Sequence, residues 1–273
     1  MCHRRIFLGR LSLIFFLAGQ SAFSQTAIDE SEVWRDFLGW LRKQPPIAGS
    51  VLIPTYRSQL VGDGVPASLV DTYISSIQRL SRERRIEITA IEFDKMYVAG
   101  TPIYSKQPNA FLVGVVSGLK PGAALDAAMG QGRNAFFLAE KGWEVTGFDI
   151  AGEGLRLAGE RAAAAGLHIH TIQATHRDFD FGRNRWDLIV LTYSWVPFDD
   201  SSLMRRIFDS LKPGGLVVVE DNEGSLHVRD AGVNPPLKWF DGLRILRYEQ
   251  APSGGEWGNP ENTVYRLLAL KPQ

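Results

Sequence analysis

The chain has 273 residues, of which 45% are hydrophobic and 22% are charged, so it has the composition of a folded globular protein and not of a disordered one. Its 30 basic and 30 acidic side chains balance, which argues against a dedicated nucleic-acid binder, because such proteins gain much of their affinity by neutralising phosphates. The only cysteine is Cys2, which excludes an intrachain disulfide framework, a cluster of thiolate zinc ligands and a cysteine nucleophile in the folded body.

The first 24 residues have the layout of a secretory signal peptide. A short basic segment precedes an apolar stretch, and the small residues Ala22 and Ser24 then form a cleavage site. The apolar core Leu11–Ala18 is shorter than the roughly 20 residues that a membrane-spanning helix needs. We therefore expect cleavage after Ser24, no stable membrane insertion after cleavage, and an exported or periplasmic protein. If the segment is an upstream start or a membrane-associating tail instead, a cytoplasmic location is expected.

Residues 25–104 are expected to form a helical N-terminal extension. Apolar side chains at helical spacing predict one helix over residues 29–43 and another over residues 66–84. Between them, residues 47–65 contain three glycines and a proline and are predicted to be a loop. Residues 86–108 have a mixed pattern, with turn signals near their end.

From residue 105 onward, strands and helices alternate, which is typical of a parallel doubly wound sheet. The last two strands are joined by a glycine-rich link with no room for a helix, which predicts an antiparallel hairpin. The expected fold class is therefore α/β, with a mostly parallel seven-stranded sheet over residues 105–273 that ends in an antiparallel hairpin. The strands are expected at residues 123–126, 144–149, 168–173, 186–191, 216–219, 243–248 and 263–270, and the helices at 109–118, 134–141, 153–165 and 201–211.

A glycine-containing turn follows the first predicted strand and opens a helix. The strand ends in Asp126, and Gly130 and Gly132 come next. Glycines let the backbone approach a ligand closely, and a helix N-terminus favours a negative group such as a carboxylate. Asp149 ends the following strand, 19 residues after Gly130, where an acid can bind both hydroxyls of a ribose. The spacing up to Ala135 also fits the dinucleotide fingerprint, so the turn alone leaves a nicotinamide or flavin enzyme open.

Three features separate these alternatives. An acid ends the first strand, where dinucleotide folds usually carry none; the segment Leu211-Lys-Pro-Gly-Gly215 leads into the fifth strand; and the sheet ends in a hairpin. With these features, residues 105–273 resemble the class I S-adenosylmethionine (SAM)-dependent methyltransferases of the Rossmann-like superfamily. Ala128 stands where that family's motif has its first glycine, and Gln131-Gly-Arg-Asn134 is similar to a variant found in its small-molecule and tellurite-resistance-type members.

The resemblance implies which residues hold SAM as the cofactor. The two glycines would let its methionine part lie against the backbone, and the acid that ends the first strand would hold its ammonium group. The acid that ends the second strand would accept hydrogen bonds from the ribose, and the segment after the third strand would contact the adenine. Each acid also has a purely structural alternative: Asp126 caps the turn, Asp149 caps the next helix, and Asp178 lies exposed in a loop. The implied cofactor-binding residues are Asp126, Gly130, Gly132, Asp149, Ile150, Asp178 and Phe179.

The methyl acceptor is expected at the carboxyl end of the fourth strand. The sequence Thr192-Tyr-Ser-Trp195-Val-Pro-Phe198 lacks the Asn/Asp-Pro-Pro-Tyr/Phe motif of amide and adenine N-methyltransferases, which counts against nucleic-acid and glutamine methylation. Tyr193 and Trp195 are catalytic candidates, because aromatic faces attract a positive sulfonium; the alternative is that they pack in the core. An aromatic-rich lid over Phe93–Asn109 adds Tyr104 as a third candidate.

We therefore expect a SAM-dependent methyltransferase that acts on a small-molecule acceptor, without nucleic acid and without a metal ion. His168 and His170 share one face of a strand, but no cysteine or glutamate completes a metal site there. An NAD(P)-dependent oxidoreductase and a non-catalytic SAM-binding protein are the alternatives. Export would separate the protein from the cytosol, where SAM is made. The sequence indicates neither the acceptor nor the oligomeric state.

Overall fold

The computed structural model describes residues 28–99, 105–222, 235–252 and 263–273. The signal-peptide prediction for residues 1–24 and the candidate Tyr104 lie outside these residues. The helices are α1 (Glu30–Lys43), α2 (Gly49–Gly62), α3 (Ala67–Glu83), α4 (Arg85–Val98), α5 (Ala110–Val116), α6 (Arg133–Glu140), α7 (Gly152–Ala164), α8 (Ser201–Ser210) and α9 (Pro235–Trp239). The strands are β1 (Ala123–Ala127), β2 (Glu144–Asp149), β3 (Ile169–Gln173), β4 (Trp186–Thr192), β5 (Leu211–Asn222), β6 (Arg244–Pro252) and β7 (Thr263–Leu270).

The described strands form one sheet in the order β3-β2-β1-β4-β5-β7-β6. Strands β1 to β5 pair in parallel, and β7 runs antiparallel between β5 and β6. The predicted fold class, a mostly parallel sheet with a terminal antiparallel hairpin and N-terminal helices, is confirmed. The strand order reverses between β1 and β4, and open α/β sheets bind ligands at the carboxyl ends of the strands beside such a reversal.

Each face of the sheet carries its own hydrophobic core. On β4, Ile189 and Leu191 pack into one core, while Leu188 and Val190 pack into the other. Successive side chains of a strand point to opposite faces, so a strand that is covered on both faces needs apolar residues at every position. This requirement explains the continuous apolar run of β4.

The N-terminal helices bury a separate apolar cluster. Helix α1 contributes Val33, Trp34 and Phe37 to it, and Asp29 caps the helix by accepting hydrogen bonds from two backbone N–H groups of the first turn. The helices predicted over residues 29–43 and 66–84 are confirmed as α1 and α3.

The loop predicted over residues 47–65 is wrong, because the segment forms α2. Leu52, Tyr56 and Leu60 recur every four residues and are buried against the other N-terminal helices. Each such side chain stabilises the fold by about 1.5–3 kcal/mol, whereas Pro54 costs about 3 kcal/mol in a helix interior. The turn-forming residues were therefore outweighed by burial of one apolar stripe.

Residues 86–108 also differ from expectation, since most of the segment belongs to α4. Ile88 and Ile91 on one face join the apolar cluster of the N-terminal helices. Phe93 and Tyr97 lie on another face, over the carboxyl edge of the sheet. A helix buried on two faces shows no single apolar stripe, which is why its sequence pattern was mixed.

The end of the chain differs in two details. Strand β5 begins at Leu211, five residues earlier than predicted, because Leu211 pairs with Trp186 ahead of a bulge in β4 and β5. The short helix α9 was not predicted. In the part of the chain that the structure describes, every helix is too short or too polar to span a lipid bilayer.

Candidate active site

A cavity of about 720 Å³ lies at the carboxyl ends of β1, β2 and β4, against helix α4. Its size suits a small molecule, for which sites of roughly 300–1,000 Å³ are typical. The described wall combines the turn after β1, the ends of β2 and β4, residues 105–108 and one face of α4. It includes Ile86, Thr89, Phe93, Tyr97, Asp126, Gly130, Asp149, Ile150, His176, Tyr193, Ser194 and Trp195.

The turn between β1 and α6 is left-handed at three alternate positions. The backbone φ is 54° at Ala128, 53° at Gly130 and 73° at Gly132. Gly130 lines the cavity, and a Cβ atom there would lie 2.6 Å from the phenol oxygen of Tyr97, so a larger residue does not fit. Gly132 lies outside the cavity wall, at the start of α6, where a Cβ atom would press against α7. The first glycine thus shapes the cavity and the second packs two helices together.

Two buried carboxyl groups stand beside this turn. Asp126 accepts a hydrogen bond from the Ala135 N–H at 3.0 Å, and burial raises the pKa of its carboxyl to about 7. Asp149 accepts from the Gly130 N–H at 2.9 Å and from the Ala151 N–H at 2.8 Å, and burial also raises its pKa. Both acids line the cavity, so this end of the cavity favours a ligand with positive charge and hydrogen-bond donors.

The segment after β3 departs from the expected arrangement. Asp178 is exposed and accepts a hydrogen bond from the Thr175 hydroxyl at 2.6 Å. Phe179 is buried and stacks on Phe148, with the ring centroids 4.3 Å apart. The structure brings His176 to the cavity wall, and neither Asp178 nor Phe179 borders it. Adenine contact by Asp178 or Phe179 therefore stays a prediction.

His176 has an uncommitted polar atom. Its Nε2 is buried and makes no hydrogen bond, and its ring packs edge-on against Phe148, with the centroids 5.3 Å apart. Burial lowers the pKa of the imidazole to about 4, so the ring is neutral at pH 7. A neutral imidazole on an apolar wall offers one hydrogen-bonding atom to a ligand.

The residues after β4 are held in a strained backbone. Tyr193 and Trp195 have φ angles of 51° and 52°, which bulky side chains rarely adopt. Between them, the Oγ of Ser194 is buried without a hydrogen-bond partner. Trp195 is 48% exposed and packs edge-on against Phe93 of α4, with the ring centroids 5.5 Å apart. Such strain concentrates at functional sites.

A buried hydrogen-bond network supports this segment. The Asn134 amide donates to the Thr192 hydroxyl at 2.8 Å and accepts from the Asn109 backbone N–H at 2.9 Å. The Asn109 amide and the Tyr193 phenol both donate to one carboxylate oxygen of Glu220, at 2.6 and 3.0 Å. The network joins the starts of α5 and α6 to the ends of β4 and β5, and so fixes Tyr193 against the cavity.

A protein-family model described as a methyltransferase domain matches residues 124–215, which run from β1 into β5. The matched segment contains β1 to β4 and α6 to α8 and supplies most of the described cavity wall. Over 102 residues the chain is 31% identical to demethylmenaquinone methyltransferase of Thermus thermophilus, a match that covers 36% of this chain and 46% of that relative. The chain spans less than half the length of the curated relatives that it matches.

Solved structures share the fold of this methyltransferase domain. TehB of Haemophilus influenzae superposes with a TM-score of 0.50 at 18% identity, over 66% of each chain. The [4+2]-cyclase SpnF superposes with a TM-score of 0.50 at 16% identity, over 66% of this chain and 81% of that chain. At these identities the likeness shows the fold alone, and the same fold hosts different reactions.

Ser194 and two wall residues of α4, Ile86 and Thr89, were not predicted from the sequence, whereas Phe93 and Tyr97 lie in the lid that was predicted over Phe93–Asn109. Ser194 gave no signal, because its unpartnered hydroxyl is a property of the three-dimensional environment. On α4, a signal existed: four wall residues recur at positions i, i+3, i+7 and i+11, which is one face of a helix. These four residues, which we call the α4 stripe, are Ile86, Thr89, Phe93 and Tyr97.

Proposed function

We propose that the chain is a SAM-dependent methyltransferase that transfers a methyl group to a small-molecule acceptor. One observation carries this proposal: the cavity with its two buried acids lies at the strand ends of a segment that matches a methyltransferase domain. The cavity volume of about 720 Å³ and the balanced net charge favour a small acceptor over a nucleic acid. The Thermus thermophilus relative is also named for a small molecule, demethylmenaquinone.

The residues of the cavity fit SAM in charge and shape. Asp126 would hold the ammonium group of its methionine part, and Asp149 with the adjoining Ile150 would hold its ribose. Gly130 lets the Tyr97 phenol pack against the turn, which holds this end of the α4 stripe at the cavity. The unpartnered Nε2 of His176 would be a hydrogen-bonding atom for the adenine, in the role that the family resemblance implies for Asp178 or Phe179. When bound, SAM would supply a methyl group on a positive sulfonium, with neutral S-adenosylhomocysteine as the leaving group.

The other contribution of the chain to catalysis would be to position the acceptor relative to the methyl group. The aromatic residues of α4 and the segment after β4 exclude water and hold the acceptor in line with the methyl group, and such placement alone lowers a barrier by roughly 7–11 kcal/mol in favourable cases. We propose that residues 25–104 act as the cover of the site for this reason, with α4 as the described helix of this extension that lines the cavity. Tyr193 and Trp195 are its candidate acceptor-side residues.

Calorimetry with SAM and with NAD tests the cofactor. We expect one SAM per chain and no binding of NAD, followed by formation of S-adenosylhomocysteine when an accepted small molecule is added. Binding of NAD without SAM would replace the proposal by an NAD(P)-dependent oxidoreductase.

A non-catalytic SAM-binding protein is the second candidate, and Ala128 is the observation that favours it. This alanine occupies a left-handed position, φ 54°, that the resembled family gives to glycine. SAM binding without any S-adenosylhomocysteine over a panel of neutral, acidic and basic acceptors, in both the wild type and Ala128→Gly, would favour this candidate.

We also propose that the first 24 residues direct export and are removed after Ser24. The support is the basic start, the short apolar core and the Ala22/Ser24 site in the sequence. N-terminal sequencing of the protein from fractionated cells tests it: Gln25 as the first residue in an exported fraction is expected, and an intact Met1 or Cys2 in the cytosol contradicts it.

A further inference from the structure

We propose that the methyl acceptor is an uncharged aromatic molecule with a hydroxyl group, bound between the α4 stripe and Trp195. This inference rests on the proposed function and specifies its substrate class. The class follows from three independent properties of the described wall: its apolar surface, the position of its charges, and one unpartnered hydroxyl.

The mouth of the cavity, where the α4 stripe faces Trp195, is largely apolar. Ile86 and Trp195 are 46% and 48% exposed, and both line the cavity. Phe93 lies beside Trp195, with the ring centroids 5.5 Å apart. Exposed apolar surface at a cavity mouth marks a binding site, and paired aromatic rings favour an aromatic ligand.

No charged side chain of the described wall belongs to the α4 stripe or to the segment Thr192–Trp195. Arg161 is already stacked over the Phe136 ring at 3.9 Å, and Arg133 donates to the Gln107 carbonyl at 3.2 Å. A carboxylate or an alkylammonium group held between the α4 stripe and Trp195 would therefore lose hydration against two described surfaces that carry no charge, which disfavours charged acceptors. The charged wall residues are Lys106, Asp126, Arg133, Glu140, Asp149 and Arg161.

Ser194 supplies the polar contact. Its side chain is 2% exposed, lines the cavity and has no hydrogen-bond partner for its Oγ. Its two neighbours, Tyr193 and Trp195, hold left-handed backbone angles, so the position of Ser194 is fixed by a strained segment. A buried hydroxyl gains most from a ligand group that can both donate and accept, and a neutral hydroxyl does both.

Binding of probes that share one ring system tests the charge preference. Calorimetry would compare 2-naphthol (neutral), 2-naphthoate (anionic) and 2-naphthylmethylamine (cationic at pH 7), with the chain saturated with S-adenosylhomocysteine. We expect 2-naphthol to bind at least about tenfold more tightly than either charged probe. Equal or tighter binding of a charged probe overturns the inference.

Two variants locate the site. Trp195→Ala is expected to weaken 2-naphthol binding by at least about tenfold and to change S-adenosylhomocysteine affinity by less than about threefold. Leu246→Ala is the matched control, because Leu246 is 47% exposed, close to the exposure of Trp195, and lies on β6 outside the cavity wall. Unchanged 2-naphthol binding by Trp195→Ala, or equal losses in both variants, contradicts the placement.

An added charge provides a gain-of-function test. Thr89→Lys puts a cation into the α4 stripe and should raise the affinity for 2-naphthoate by at least about tenfold over the wild type. Thr55→Lys adds the same charge on the exposed face of α2 and should leave that affinity unchanged. An identical response of the two lysine variants would mean that the mouth does not hold the ring.

Removal of the Ser194 hydroxyl tests the polar contact. In the wild type, 2-naphthol should bind more tightly than naphthalene, which lacks the hydroxyl, and Ser194→Ala should abolish most of that difference while leaving naphthalene binding unchanged. A preserved difference in Ser194→Ala overturns the role of Ser194. The proposed function itself fails if SAM does not bind, or if no acceptor yields S-adenosylhomocysteine. Neither result is a readout of the probe comparisons, so the two failures are distinguishable.

Discussion

Ala128 is an alanine in a backbone conformation that suits glycine, with φ at 54°. A left-handed backbone angle costs a non-glycine residue about 1–2 kcal/mol, and a glycine at this position would relieve that strain. Glycine also has more conformational freedom in the unfolded chain, which offsets about 0.5–1 kcal/mol of the relief. We expect Ala128→Gly to raise the free energy of unfolding by about 0.5–1 kcal/mol in urea. The neighbouring Ala127→Gly, in strand β1, should lower it, because that backbone is extended and its methyl group is buried.

The opposite order of the two variants would show that the turn is not strained at Ala128. A gain in stability without a change in SAM affinity would show that the strain is a property of the fold alone.

Asp126 should make stability depend on pH. Burial raises its pKa to about 7, whereas an aspartate in an unfolded chain titrates near 3.8. Between these values the folded state binds a proton that the unfolded state does not bind, so this group's contribution to stability falls as the pH rises. The contribution of His176 to stability changes in the opposite direction. Burial lowers its pKa to about 4, so between that value and its usual pKa the stability rises as the pH rises. The informative quantity is therefore the difference between the wild type and Asp126→Asn.

Urea unfolding of both chains at about pH 4 and about pH 8 measures that difference. We expect Asp126→Asn to gain stability relative to the wild type as the pH rises, by about 4 kcal/mol at most. The same variant should bind SAM more weakly at pH 8, since it lacks the carboxylate. If the stability difference between the two chains did not change with pH, the raised pKa of the Asp126 carboxyl in the folded state would be contradicted.

Asp149 and Asp178 form a matched pair of acids, one inside the cavity wall and one outside it. We expect Asp149→Ala to weaken SAM binding by at least about tenfold, because charge-assisted hydrogen bonds to ribose hydroxyls are worth roughly 1.5–3 kcal/mol each. Asp178→Ala should weaken SAM binding much less, since Asp178 is exposed and bonded to Thr175. A loss as large as that of Asp149→Ala would support the adenine contact predicted for Asp178. Calorimetry on both variants decides, with Asp149→Asn as the milder change if the alanine variant loses its fold.

At the scale of elements, α4 meets α7 through one glycine. A Cβ atom on Gly154 would lie 2.9 Å from the Tyr97 ring and 3.1 Å from the backbone carbon of Gly130. We expect Gly154→Ala to destabilise the chain by about 1–3 kcal/mol and to weaken SAM binding, because α4 and the glycine turn must move apart. Gly159→Ala on the same helix meets nothing within 4 Å and should be neutral or stabilising by up to about 1 kcal/mol.

Thermal unfolding and calorimetry of the two glycine variants give the comparison. Equal effects would mean that α4 does not rest on α7 at this point.

The sequence predicted the elements best where one physical rule decides. Each strand of the parallel sheet is apolar on both faces or ends in a turn, so its position follows from local pattern. Helix α2 was missed because its turn-forming residues are local, whereas the burial that outweighs them depends on α1 and α3. Helix α4 was missed because one of its faces packs in the apolar cluster of the N-terminal helices and another lines the cavity, so its sequence shows no single apolar stripe.

The site divides in the same way. Asp126, Gly130 and Asp149 were predictable, because the ends of parallel strands meet at one edge and their spacing fixes them there. The residues after β3 were not, since no periodicity sets the register of a loop, and the structure brings His176 to the wall. Gly147 is also beyond prediction from pattern: its missing side chain leaves the space that the sulfur of Met129 fills.

At the scale of the whole molecule, α4 links the apolar cluster of the N-terminal helices to the cavity. Asp94 of α4 also accepts a hydrogen bond from the Glu153 backbone N–H, at the start of α7, at 2.8 Å. We expect SAM binding to slow hydrogen exchange of the α4 backbone amides, because a ligand against the α4 stripe stabilises the helix in place. The amides of α2, which do not line the cavity, should change little. Equal protection of both helices would indicate a general gain in stability.

The position of β7 between β5 and β6 has a consequence for synthesis on the ribosome. β7 is later in the chain than both of its neighbours, so β5 presents an open edge of backbone N–H and C=O groups until the residues of β7 emerge. Nascent chains that stall before this point expose a long, apolar edge strand, which is the type of surface that chaperones bind and that seeds aggregation. Premature termination within the last strand should therefore yield insoluble protein, although the cavity residues described above have all been made.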